Sequence, residues 1–116
     1  MRTTLIIMIV LWSGTLLAQD KNAKATVQVD GVCFMCKARI EKAAIKTKGV
    51  KTAVWSVDTH KLNLIYDARK TNLDTIQKRI AEVGHDTEKY KATDAAYESV
   101  SPCCKYRDPQ IIESHN

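Results

Sequence analysis

The sequence predicts an α+β sandwich of ferredoxin-like order, βαββαβ, with two helices on one face of a four-stranded antiparallel sheet. Three observations point there. An alternating apolar–polar segment runs into a helical one near residue 30, two β-rich runs follow in tandem, and a second helical segment then closes the plan. One strand–helix–strand unit is written twice, and burying both helical stripes against one sheet face gives this architecture.

Ala25 to Asp30 alternates with the period of a half-buried strand, and Gly31 punctuates it. From Met35 to Lys48 the spacing becomes helical: Cys36, Ile40, Ala43 and Ala44 make an apolar stripe, and Lys37, Arg39, Glu41, Lys42 and Lys46 fill the other face. Gly49 closes that helix. Val50 to Val57 and Lys61 to Asp67 read as a hairpin joined by the polar tetrad Asp58 to Lys61, with Leu62, Leu64 and Tyr66 on one face. The second helix carries Leu73, Ile76, Ile80 and Val83, with Thr71 expected as its N-cap and Asp74 in its first turn, and it ends at Gly84. Asp86 to Lys91 is the expected last strand. The expected core is Val27, Val29, Ile40, Ala44, Val54, Leu62, Leu64, Ile76 and Ile80.

At 116 residues the chain has room for about one domain. Met1 to Ala18 reads as a secretory signal peptide: a basic start at Arg2, an apolar run from Leu5 to Leu17, and a small residue at 18. That run is shorter than the ~20 residues of a spanning helix, so cleavage is expected and stable membrane insertion is not. The protein is therefore expected outside the cytoplasm, in the periplasm or an equivalent space, as a monomer. Residues 24–91 form the expected domain, and 92–116 a C-terminal extension with a short helix over Thr93 to Val100 and a frayed end from Pro109.

The formal charge of +5 is mild, and cleavage would lower it by one unit. The lysines are spread out, with no interleaved aromatic residues to stack bases, which argues against nucleic acid as a partner. No set of nucleophile, base and oxyanion donors is present, which argues against an enzyme.

The chemistry lies in four cysteines, which fall as two local pairs, Cys33 with Cys36 and Cys103 with Cys104. In an exported chain such residues suggest disulfides, yet loops this short gain little from cross-linking. Cys33 and Cys36 lie where the first strand gives way to the first helix. The positive end of the helix dipole there favours thiolate over thiol. Residues three apart on a helix have Cβ atoms about 5–6 Å apart, and a metal–sulfur bond is about 2.3 Å, so both sulfurs can reach one ion. Two soft thiolates suit copper(I) best, with mercury(II), zinc and cadmium as alternatives.

Residues Val27 to Tyr90 resemble a heavy-metal-associated domain, the module of copper chaperones, metal-transport ATPases and the periplasmic mercury-binding protein. The resemblance rests on the doubled strand plan, the Cys33-x-x-Cys36 loop and the Ala81-Glu82-Val83-Gly84 close of the second helix. It implies that Cys33 and Cys36 bind the metal. It also implies a metal-transporting ATPase, an efflux system or another metal-binding domain as partner. The sequence departs from the family pattern at Gly31, where relatives usually carry a methionine packed beneath the loop.

Candidate additional ligands are His85, Cys103 and Cys104. His85 follows Gly84 in a loop that the resemblance brings near the site, and an exposed loop histidine is the plainer reading. Cys103 and Cys104 have no counterpart in the family module. Adjacent cysteines form only a strained mutual disulfide, so the pair is open to metal, to another molecule, or to the first site if the tail folds back. Phe34 and Met35 read as cover for the loop, Trp55 as sheet packing, and His60 as a turn residue with no evident partner. The rival function is a thiol–disulfide redox protein using Cys33 and Cys36, though neither an aromatic residue before Cys33 nor a proline before Pro102 supports it. A weaker rival is a partner-binding module with a structural metal.

Overall fold

A computed structural model describes residues 20–115; the expected signal peptide lies outside the described residues. The elements are β1 (Ala23–Gln28), α1 (Phe34–Lys46), β2 (Val50–Trp55), β3 (Lys61–Tyr66) and α2 (Leu73–Glu82), followed by the short helices α3 (Asp94–Glu98) and α4 (Pro109–Ser114) on either side of a 3₁₀ turn at Pro102–Cys104. No helix among the described residues is long and apolar enough to cross a membrane.

The sheet is antiparallel, with β3 between β1 and β2. Val27 pairs with Leu62, and Leu62 in turn with Trp55; Ala25 pairs with Leu64, and Leu64 with Ala53. These pairs put Val27, Leu62, Leu64, Ala53 and Trp55 on the buried face, where Cys36, Ile40, Ala43 and Ala44 of α1 and Ile76 and Ile80 of α2 cover them. Ile40 and Ile80 have no exposed surface, and full burial of such a side chain contributes about 1.5–3 kcal/mol.

Four expectations are corrected here. Val54 is 55% exposed and is not core. It pairs with Asn63 on the open face, because a bulge between Val50 and Thr52 sets the register of β2 and turns Ala53 and Trp55 inward. Asn72, not Thr71, caps α2: its Oδ1 accepts from the Thr75 N–H at 2.8 Å. The end of the chain is not frayed but forms α4, which Asp108 caps through the Gln110 N–H.

The fourth correction concerns the strand expected over Asp86 to Lys91, which shrinks to one antiparallel bridge, Val29 with Thr87. The Asp30 N–H reaches the Asp86 carbonyl at 2.9 Å and the Glu88 N–H reaches the Gln28 carbonyl at 3.1 Å, so the outer edge of β1 is partly covered. The ladder stops because Thr87 and Tyr90 hydrogen-bond to each other in a tight turn and the Asp86 carboxylate is taken by the C-terminal extension. The segment turns back and cannot stay extended.

Candidate metal centre

Cys33 occupies the N-cap of α1 in an extended conformation, and the first turn behind it contains no acidic residue. The positive end of the helix is thereby left to sulfur. Cys36, one turn in, has no exposed surface, and its Sγ receives the Val32 N–H at 3.4 Å. The two sulfurs are 3.5 Å apart, and neither is in a disulfide.

Gly31 lies directly beneath this loop. A Cβ there would meet Cys36 Cβ and two atoms of the Trp55 indole at 3.0 Å. Trp55 therefore fills the space under the loop. Its ring is 1% exposed, its Nε1–H donates to the Val29 carbonyl at 3.0 Å, and His60 stacks on it with ring centres 5.5 Å apart. His60 thus has a partner that the sequence did not suggest. Phe34 and Met35, between the cysteines, are 77% and 55% exposed and flank the site rather than cover it.

The extension folds back onto this end of the domain. Its 3₁₀ turn brings Cys104 Sγ to 3.3 Å and Cys103 Sγ to 3.5 Å from Cys33 Sγ. The sulfurs of Cys33, Cys103 and Cys104 all lie within 4.8 Å of one another, and Cys36 joins them through Cys33. Cys104 is 1% exposed and Cys103 partly exposed, with the Met35 thioether 3.3 Å from the Cys103 sulfur.

Residues outside the thiol cluster fix the extension in place. The Tyr106 hydroxyl donates to the Gly84 carbonyl at 2.6 Å and accepts from the Asp86 N–H at 3.0 Å. The Arg107 guanidinium holds both oxygens of Asp86, at 2.7 and 3.3 Å, and donates to the Ala92 carbonyl. Tyr97 meets Tyr106 edge-on, and Arg39 bridges the Val83 carbonyl and the Ser99 hydroxyl. Gly84 adopts φ +110, and a Cβ on it would lie 2.6 Å from the Ala96 carbonyl and from Val100. Sequence reasoning missed Asp86, Tyr97, Tyr106 and Arg107. Their one signal was Tyr97, Tyr106 and Arg107 in a tail that shows no periodic pattern.

His85 does not join the sulfurs. It is fully buried rather than exposed, its Nδ1 bonds the Asp30 carbonyl at 2.9 Å, and its ring stacks on Tyr106. Burial holds its pKa below the ordinary histidine value, so the ring is neutral at neutral pH.

The four thiols are not equivalent. Burial pushes Cys33 upward, but the Cys36 backbone N–H and the thiols of Cys104, Cys36 and Cys103 outweigh it and hold Cys33 below the usual thiol range. Burial raises Cys36 and Cys103, and raises Cys104 furthest, where the thiols of Cys36 and Cys33 add to the effect. Cys33 is the first to ionise and the sulfur against which the others gather.

The sequence profile of the heavy-metal-associated domain matches residues 26–86. A copper-exporting P-type ATPase of Staphylococcus haemolyticus is 36% identical over 66 residues, which is 56% of this chain and 8% of that protein. A zinc-transporting ATPase of Synechocystis is 37% identical over 68 residues, 58% of this chain and 9% of that protein. The chain thus spans less than a tenth of the length of either relative. In fold it is similar to a CopZ metallochaperone, with a TM-score of 0.54 at 24% identity over 56% of this chain and 98% of that one. With the profile spanning more than half of its length, from β1 through the paired cysteines to the loop after α2, the chain belongs to the heavy-metal-associated domain family.

Proposed function

We propose that this protein is an exported carrier or scavenger of a soft metal ion, copper(I) first among the candidates, held by the thiolates of Cys33 and Cys36. The observation that carries the reading is the pair of free sulfurs 3.5 Å apart at the uncapped start of α1. Thiolate softness favours copper(I), and mercury(II), zinc and cadmium are the other cations such a pair takes. The metal is cargo: an incoming thiolate binds the ion as one original sulfur leaves, and no covalent bond of a substrate is made or broken. The protein is accordingly not an enzyme on this reading. Its partner is a donor or acceptor of metal, such as a transporting ATPase, an efflux system or another metal-binding domain. Export rests on the composition of residues 1–18.

A copper(I) competition titration tests this, run on the reduced protein and on its Cys33→Ser/Cys36→Ser variant, beside a measurement of reduction potential. Tight copper binding that the variant loses, with no disulfide reductase activity, supports the carrier. Weak copper binding with turnover of a disulfide substrate would assign the same cysteines to redox chemistry.

A further inference from the structure

We infer that Cys103 and Cys104 are the second half of the metal site: the C-terminal extension closes over the ion and adds thiolates to those of Cys33 and Cys36, making a site of three or four sulfurs that retains its cation. This inference rests on the reading that Cys33 and Cys36 bind metal, and it adds to that reading both the coordination number and the residence of the ion.

Geometry carries the assignment. Four sulfurs placed about 2.3 Å from one ion in a tetrahedron stand about 3.8 Å from each other. The sulfur of Cys33 lies 3.3 to 3.5 Å from each of the other three, and those of Cys33, Cys103 and Cys104 all lie within 4.8 Å of one another, so shifts of about an ångström or less set these three around a cation, with Cys36 next to them on the Cys33 side. Every cysteine of the chain is in this one place, although the two pairs are about 70 positions apart in sequence.

The position of the extension is specified independently of the sulfurs. Tyr106 on Gly84 and Arg107 on Asp86 hold its second half, and the packing of α3 on Gly84 holds its first. Between these fixed points the 3₁₀ turn has little freedom, and it presents both thiols to Cys33. Cys104 is 1% exposed, and its sulfur lies 3.3 Å from that of Cys33.

The consequence is for exchange. A two-sulfur loop open to solvent passes its ion to an incoming thiolate directly. Here Cys36 and Cys104 are both buried, so an acceptor must first displace the extension from the ion or approach past Phe34 and Met35. Retention is favoured over relay, which suits scavenging more than rapid hand-over. The cations that gain most are those that take three or four thiolates, with cadmium(II) and zinc(II) as convenient probes.

The test compares the purified protein with Cys103→Ser/Cys104→Ser and with Cys103→Ser alone, the second guarding against a fold defect at buried Cys104. Each is loaded with cadmium(II). The sulfur number is read by X-ray absorption, and the rate of loss to excess chelator is followed by the sulfur–cadmium charge-transfer band. Three or four sulfurs in the wild type, falling to two in the double variant and by one in the single variant, with at least tenfold faster release, is the expected result. Two sulfurs in all three proteins, or equal release rates, would overturn the inference while leaving Cys33 and Cys36 as ligands. Cadmium retained in full by Cys33→Ser/Cys36→Ser would instead remove the underlying reading.

Discussion

The sulfur of Cys33 lies 3.3 Å from that of Cys104, across 71 positions of sequence. A cysteine of the strand-to-helix loop thereby meets one from a segment outside the matched family module, and this contact places the C-terminal extension against the end of the domain that carries Cys33 and Cys36.

The thiols should label in a fixed order. Cys33 is partly exposed and is held below the ordinary thiol range, whereas Cys104 is buried and pushed up. Thiolate is the reactive form. Iodoacetamide treatment of metal-free, reduced protein, mapped by mass spectrometry, should modify Cys33 first and Cys104 last. The Cys33 rate should rise at a lower pH than that of the other three. Equal rates for Cys33 and Cys104 would contradict the asymmetry.

Tyr106→Phe should loosen the extension without touching a sulfur. The change removes the hydroxyl that donates to Gly84 and accepts from Asp86, and leaves a buried carbonyl and N–H unpaired. A cost of about 1–3 kcal/mol follows, measurable by urea denaturation. Gly84→Ala should cost at least as much, since it combines φ +110 with a 2.6 Å clash against the Ala96 carbonyl.

Trp55→Ala should be the most damaging core change. It empties the space beneath Gly31 and removes the bond to Val29 and the stack with His60, for a loss of about 3–5 kcal/mol. Metal binding should weaken too, because the loop loses its floor. A thermal melt and a cadmium titration of the variant check both outcomes.

Acid should release the extension. Burial acts to raise the Asp86 carboxyl, but Arg107 and the Ala92 N–H outweigh it and hold the group below the ordinary carboxylate value. A depressed folded pKa gives stability that is present above the unfolded value of about 3.9 and lost as pH falls through the folded one. Near-ultraviolet dichroism from Tyr97 and Tyr106 should therefore decline below about pH 4. Asp86→Asn should lose stability at neutral pH and flatten that decline.

Most of the repeat was legible in the sequence, because period and punctuation follow from local geometry. Cys36, Ile40, Ala43 and Ala44 line the buried face of α1 as their spacing required. What escaped was non-local. Val54 alternates correctly, but the bulge after Val50 sets which residues of β2 face inward. The strand after α2 was a fair reading of its composition until Arg107, 21 residues on, took hold of Asp86. Periodicity carries no trace of such a contact. The closeness of Cys33 and Cys36 was readable because residues three apart at the start of a helix share one face. The meeting of Cys33 with Cys104 depends on Tyr106 and Gly84, which no local pattern connects.

On the proposed function, reduced sulfur at Cys33 and Cys36 grips a thiophilic cation. Equilibrium dialysis of the reduced protein against copper(I), mercury(II), zinc(II) and cadmium(II), each followed by metal analysis, tests it most directly. About one ion should be retained per chain for at least one of these metals, and none in Cys33→Ser/Cys36→Ser. Failure to retain any of the four, in protein shown to be folded and reduced, would contradict it.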